Sequence, residues 1–296
     1  MKVKVEYPNL IGGNYLNTYL KFPLNNFLLS GAEVSFVKDL KFLNESKKGA
    51  YVQIRINNKP ALIDMQDAPR EYYGVIYEER YKAYNPTTLN MPIFKVNMRP
   101  DIKYNDNIFP YGPYQVWNNK TTVDLEKLLS YGNDYDPHAN NCIINTTSVM
   151  YNNTRKRAYS KLDYGKIYKD IKFIRNKVPQ YQHWDRLSNC LGVLNISGSS
   201  ANVVDKAPIE TMWRGVCIIH NDIDILLPHN KQLVKNEHYI CLADNYSDIN
   251  EKINYLYDNR DLAKEMGAEA RELMLTTSTP ERRVEWMLQV VEEYYN

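Results

Sequence analysis

Cysteine is scarce in this chain, with four in 296 residues (Cys142, Cys190, Cys217, Cys241) and no Cys-x-x-Cys spacing. That excludes a zinc knuckle or a dense disulfide framework, and free thiols in a reducing compartment are expected. His138, His183, His220, His229 and His238 are scattered without ligand spacing, so no structural metal is expected. No window approaches the ~18 apolar residues of a membrane span. The opening MKVKVEYPNLIGGNYL lacks the apolar centre of a signal peptide. The abundance of Tyr, Asn and Lys fits an AT-rich genome, a viral one included. The expected location is cytoplasmic, the host cytoplasm if the gene is viral. An excess of one charge is missing too: 37 basic against 35 acidic residues leave a formal net charge of +2, which argues against wholesale coating of nucleic acid or membrane. No internal repeat at solenoid periods is visible.

The ordinary globular composition that is present, with 44% hydrophobic residues, supports a sizeable core. Strand composition marks AYVQIRI, ALIDM and PIFKVNM in the first half, with a helical REYYGVIYEERYKAY between the last two. Residues 105–117 (NDNIFPYGPYQVW) read as a loop, within which Tyr111 and Trp117 could offer a stacking surface. TTVDLEKLLSYG reads as a short helix ending at Gly132. The polar stretch 133–141 marks a boundary, giving an amino-terminal domain 1–137 and a carboxyl-terminal domain 138–296 that includes the terminal helix. Beyond it NCIINTT, LGVLNIS, VCIIH and HYICLA alternate with helical patterns, which implies βα units around a parallel sheet. Segment 154–177 holds nine Lys or Arg against two Asp, a local basic run in a balanced chain.

At the end of the chain three helices are expected. Asp248 and Glu251 resemble a capping box before Ile249, Ile253 and Leu256. A second helix carries Leu262, Met266 and Leu273. Thr279 and Pro280 open a third, whose Val284, Met287, Leu288 and Val291 form one apolar stripe. These stripes are core.

The chemistry is expected at NISGSSANVVDKAPIETMWRGVCIIHND, residues 195–222. Ser197, Gly198, Ser199 and Ser200 lie between a strand and a helix amino terminus, where backbone N–H groups, hydroxyls and the positive helix end suit a phosphate. Lys206 belongs to the same loop. Glu210, just over a turn into the helix, is poorly placed for phosphate but able to accept two hydrogen bonds from a ribose diol. Small residues are common in such turns, so the loop alone does not identify a nucleotide site.

The segment ANVVDKAPIETMWRGVCIIHND resembles the donor-binding region of GT-B glycosyltransferases of the group-1 and protein O-glucosyltransferase-like families, with Glu210, Met212 and Gly215 matching their Glu-x-Met-x-x-Gly element. HYICLADNYSDINEKINYLYDNRDLAKEMGAEARELM and TPERRVEWMLQVVEEYY are similar to their closing elements. The resemblance implies an α/β, GT-B-like fold of two Rossmann-like domains facing a cleft, with a carboxyl-terminal helix. It implies transfer of a sugar from a nucleoside-diphosphate sugar, with a UDP-sugar favoured, to a hydroxyl of a glycan, a protein or a hydroxymethylated DNA base. No other cofactor is implied. Arg155 and Arg157, in the basic run, match the arginine that the second family supplies to the nucleotide. Group-1 retaining enzymes carry a glutamate where this chain has Asn202, which leaves inversion or retention open.

For an inverting reaction the acceptor hydroxyl needs a base, and Asp64 and Asp67, after a strand, are the candidates; Asp67 could equally cap the helix that follows. Asp222-Ile-Asp224 admits a rival reading as a metal-binding Asp-x-Asp of the GT-A type, but its place after the Glu-x-Met-x-x-Gly helix and strand favours a metal-independent GT-B loop. His220, ending a strand, could touch the donor. A non-catalytic nucleotide-sugar or glycan-binding protein of the same fold is the alternative function.

Overall fold

The computed structural model describes residues 3–8, 17–40, 42–46, 49–65, 90–113, 127–131, 134–146, 153–175, 178–197 and 206–296. The chain divides into two compact units. The first comprises residues 1–122, 225–232 and 276–296, and the second comprises 123–224 and 233–275. A single boundary near residue 137 was expected; two short segments from the distal part of the chain instead join the first unit.

The first unit is built on a seven-stranded sheet of β1 (Lys4–Pro8), β2 (Glu33–Val37), β3 (Phe42–Ser46), β4 (Gly49–Ile56), β5 (Lys59–Asp64), β6 (Ile93–Val96) and β7 (Ile108–Gly112). Their order is β2-β1-β4-β5-β6-β7, with β3 pairing β4. The β1–β2, β5–β6 and β6–β7 pairs are parallel, and β4 is antiparallel to both β1 and β5. The β4–β5 hairpin closes through Asn57 and Asn58, both at positive φ, the left-handed pair that matches strand twist in a two-residue turn. The expected strands at 50–56, 61–65 and 92–98 are thus present. The helix expected at 70–84 lies outside the described residues. The stretch 105–117, expected as a loop, contains β7, because Pro110 is compatible with a strand at the sheet edge, where a missing N–H is tolerated.

Helix α1 (Asn17–Leu29) and the final helix supply the other half of this core. Phe22 and Phe27 meet Val52, Ile54 and Ile56 of β4 in one buried cluster with Val284 and Val291 from near the chain's end. The same cluster includes Tyr111, which is fully buried, so this aromatic packs the loop down instead of offering a stacking surface.

The second unit carries five parallel strands: β8 (Cys142–Asn145), β9 (Lys172–Ile174), β10 (Gly192–Leu194), β11 (Ile218–His220) and, after the short β12 (Leu226–Leu227) and β13 (Lys231–Gln232) hairpin of the first unit, β14 (Ile240–Cys241). The spatial order is β14-β11-β10-β8-β9, and every pair is parallel. Near-continuous burial of β8, β10 and β11 is what a parallel sheet covered on both faces requires. Connecting helices are α2 (Asn153–Tyr159), α3 (Gln180–Leu187) and α4 (Lys206–Trp213), followed by α5 (Ile249–Asp258), α6 (Arg260–Thr277) and α7 (Pro280–Tyr295), the last of which joins the first unit.

Thr279 caps α7 as expected, its hydroxyl accepting from the Arg282 N–H at 3.2 Å with Pro280 behind it. Asp248 does not cap α5. Its carboxylate turns back and accepts from the Ala243 N–H at 3.0 and 3.2 Å. In α7 the apolar stripe buries with an unusual member, Arg283, whose guanidinium is fully enclosed. It donates to the carbonyls of Ser278 (3.2 Å), Pro113 (2.9 Å) and Tyr111, and its plane lies over the rings of Tyr111 and Phe22. Desolvation lowers its pKa to about 10, so at neutral pH it remains a cation held by carbonyl dipoles and aromatic faces.

Helix α6 packs on the turn that ends α4. Gly215, at φ +66, and Gly267 touch backbone to backbone, and a Cβ on Gly267 would lie 2.0 Å from the Gly215 carbonyl oxygen. Gly267→Ala is therefore expected to destabilise the protein by about 1–3 kcal/mol or more, since overpacking here meets backbone and cannot be relieved by a rotamer change. Urea unfolding of the variant beside the parent protein measures it. Gly165→Ala, whose nearest neighbour is a side-chain oxygen at 3.2 Å, is the milder comparison.

Candidate functional site

The direction of strand connection reverses between β8 and β10: β9 lies on one side of β8, while β10, β11 and β14 extend to the other. Crevices at the carboxyl ends of strands flanking such a reversal are where open α/β sheets bind ligands. Pairing of Leu194 with Asn145 and with Ile219 fixes the next residues as well. Thr146, Asn195 and His220 fall side by side on neighbouring strand exits, and in a parallel sheet residues in register share a face.

Asn195 Nδ2 donates to Thr146 Oγ1 at 2.6 Å, which joins the two exits across the reversal. Its Oδ1 is buried and without a hydrogen-bond partner. His220 is fully buried, and its Nδ1 lies 2.6 Å from the Asn221 carbonyl oxygen. A carbonyl can only accept, so Nδ1 carries the proton. Burial first, opposed by that carbonyl and assisted by the positive charge of Arg155, lowers the pKa of His220 to about 4. The ring is consequently neutral at physiological pH, with a bare lone pair on Nε2, and that atom too is buried with no partner.

Around this row the exits are tied together. The Ser197 N–H donates to Asn221 Oδ1 at 2.8 Å, and Asn221 Nδ2 returns a bond to Ser197 Oγ at 3.1 Å. Arg155, in the first turn of α2, donates through Nε to the Ile196 carbonyl at 3.0 Å, which brings a guanidinium to the exit of β10. Arg157, on the exposed side of the same helix, lies over the Tyr246 ring at 5.5 Å. Glu210 is buried in α4 and accepts from Gln180 Nε2 at 2.9 Å. The far end of α4 is pinned by Arg214, fully buried, through Asp134 Oδ1 (2.8 Å) and the Trp184 carbonyl (3.3 Å).

The basic run is held by α5. Asn250 accepts from the Asp163 N–H and donates to the Lys161 carbonyl, at 2.8 and 2.9 Å. One turn on, Asn254 does the same with the Tyr168 N–H and the Lys166 carbonyl, at 3.1 and 2.9 Å. Two amides thus grip the backbone of 161–168 and fix the course of the chain leaving α2.

Of the expected site residues, Arg155 and Ser197 come to the edge of the second sheet. Glu210 stands in the helix that leaves it. Gly198, Ser199 and Asp67 lie outside the described residues; Lys206 opens α4, but its side chain is not described. Asp64, at the end of β5, is fully buried 3.4 Å from the equally buried Lys95 Nζ, so its carboxylate is committed to an internal ion pair. Asp222 is engaged by Lys235 Nζ at 2.5 Å and by the Tyr239 hydroxyl at 3.1 Å. Among the described residues no group of three or more His, Cys, Asp or Glu could hold a metal ion. Asn195, Thr146 and Asn221 were not singled out from the sequence. Their signal was available as a polar residue directly after each short apolar strand, with Thr146 and Asn195 at one register and Asn221 one residue beyond it.

The titration of His220 has a consequence for stability. Between about pH 6.5 and pH 4 the unfolded chain takes up a proton that the folded protein refuses. Stability from this residue is thus full above about pH 6.5, falls as the pH drops, and levels off below about 4. The loss is on the order of 3 kcal/mol. His220→Gln should flatten the difference between urea unfolding free energies at the two ends of that range.

Residues 144–289 match a family model described as glycosyl transferase-like. No curated protein matches the chain. Among solved structures, a TarM mutant from S. aureus in complex with Fondaparinux, alpha-GlcNAc-glycerol and UDP is similar at 17% identity and a TM-score of 0.46, over 72% of this chain and 46% of that one. A glycosyltransferase from Rickettsia africae is similar at 12% identity and a TM-score of 0.43, over 77% of this chain and 66% of that one. The chain therefore spans about half the length of the TarM chain and about two thirds of the rickettsial one. Residues 144–289, which build most of the parallel sheet and the helices after it, thus match a glycosyl transferase-like family model, in agreement with the resemblance to glycosyltransferases carried by Glu210, Met212 and Gly215.

Proposed function

We propose that the protein transfers a sugar from a nucleoside-diphosphate sugar, with a UDP-sugar as first candidate, to an acceptor hydroxyl. The observation that carries this reading is the carboxyl edge of the second sheet, where Arg155, Ser197, Asn195 and His220 meet at the strand reversal inside the segment that matches the glycosyltransferase family. The acceptor oxygen bonds to the anomeric carbon as the bond from that carbon to the diphosphate oxygen breaks. Charge then grows on the leaving diphosphate, and fixed donors aimed at it lower the barrier. Arg155, the amino terminus of α4 and Lys206 are assigned to the diphosphate, with Gly198, Ser199 and Ser197 in the turn and Arg157 at the rim. Glu210, oriented by Gln180, is assigned to the ribose hydroxyls.

In an inverting reaction the acceptor proton passes to a carboxylate, and Asp67 is the better candidate because Asp64 is paired with Lys95. The engagement of Asp222 by Lys235 and Tyr239 favours a metal-independent reaction. The acceptor is a hydroxyl of a glycan, a protein or a modified DNA base. The burial of Asp64 also supports a second reading, a non-catalytic binder of nucleotide sugars or glycans.

Thermal unfolding with a panel of nucleoside diphosphates and their sugars, chelator present, tests the donor site, because a ligand of the folded state raises the melting temperature by mass action. One nucleoside diphosphate is expected to give a clear rise that Glu210→Ala and Arg155→Ala each reduce. No rise with any of them at millimolar concentration refutes the donor site. Binding without nucleotide release in the presence of acceptors selects the non-catalytic reading.

A further inference from the structure

A buried acceptor with nothing to receive is costly, on the order of 1–3 kcal/mol, and two stand on adjacent exits of the second sheet. The Asn195 amide has spent its donor side on Thr146, which leaves Oδ1. The His220 ring has spent its proton on the Asn221 carbonyl, which leaves the Nε2 lone pair. Asn195 is 2% exposed and His220 0%, so bulk water does not supply the missing donors. The two atoms ask for the same thing, a group that brings hydrogens. A phosphate deprotonated at neutral pH has none, and its charge would face two lone pairs. The groups of a nucleotide sugar that do bring hydrogens in adjacent pairs are the hydroxyls of its ribose and of its sugar.

We propose that Asn195 Oδ1 and His220 Nε2 form a hydroxyl-recognition pair that receives a vicinal diol of the donor. The diphosphate lies away from this pair, toward Arg155 and the start of α4. This assignment rests on the donor-site reading above and adds to it a division of the edge into a neutral, accepting part and a cationic part. Arg155 supports the division from both sides: its Nε holds the Ile196 carbonyl, and its charge adds a smaller push to the burial that keeps the His220 imidazole neutral and therefore accepting.

Calorimetric titration of the whole chain at neutral pH tests it, with UDP, 2′-deoxy-UDP, 3′-deoxy-UDP, UDP-glucose and inorganic pyrophosphate as probes. If the diol is the ribose, each deoxy analogue should bind about tenfold more weakly than UDP, the worth of one such hydrogen bond. If the diol is on the sugar, UDP-glucose should bind about tenfold more tightly than UDP, and any weakening of the deoxy analogues then belongs to Glu210 and persists in His220→Phe. In either case His220→Phe should erase the preference, His220→Gln, which restores an accepting oxygen, should recover it, and pyrophosphate should bind all forms alike. The pair is overturned if the unaltered protein binds UDP, both deoxy analogues and UDP-glucose equally, a comparison that needs no variant to fold. It is overturned as well if His220→Phe weakens pyrophosphate as much as it weakens the nucleotides. Failure of the unaltered protein to bind any nucleotide refutes the donor site itself, whereas binding that is indifferent to hydroxyls refutes only the pair.

Discussion

Parallel register across four strands is the constraint from which the candidate site follows. In such a sheet every strand leaves by the same edge, and the pairing that buries Ile144, Val193 and Ile218 also sets Thr146, Asn195 and His220, two residues on, in line. A slip of one residue in β10 would move Asn195 off the face it shares with Thr146 and His220 and put an apolar neighbour in its place. The polar row therefore depends on the same hydrophobic burial that stabilises the unit. At the exits, where the ladder ends, the chain spends the Asn195 amide on the Thr146 hydroxyl and the His220 imidazole on the Asn221 carbonyl.

A recurring device seals the ends of these elements. Arg155 closes the Ile196 carbonyl, Arg214 the Trp184 carbonyl, and Arg283 those of Ser278, Tyr111 and Pro113. Carbonyls past the last turn or ladder bond need a donor when they are covered. A planar guanidinium can serve several at once and stack on an aromatic ring, as Arg214 does on Tyr131 and Arg283 on Tyr111. Lysine, with a compact and strongly hydrated head, could not replace it in these places.

Much of the second unit was legible in the sequence because its signals are local. Short apolar runs at 142–145, 192–194 and 218–220, and the cap and stripe of α7, need only neighbouring residues to be read. What escaped is non-local or atypical. Strand β7 was hidden by Pro110, and β9 by the basic run around it, three residues long at an edge of its sheet. Asp248 has the spelling of a cap, yet its carboxylate finds a better-placed N–H five residues back. Asp64 looked like a presented base because Lys95, 31 positions away, meets it only in the fold. Glu210 and Arg155 were visible through the resemblance and His220 as the end of a strand, whereas Asn195 gains its meaning only from register.

The helix carrying Arg283 belongs to the unit that the chain begins, although it comes after the whole of the other one. During synthesis the strands of the first unit emerge early but lack Val284, Met287 and Val291, which complete their core. The second unit, whose residues all lie before 276, has its full complement sooner. The unit begun first is thus finished last, and until α7 arrives its nascent core lacks the side chains that α7 adds to those of α1, the stage at which a chaperone or an aggregating neighbour has most to bind.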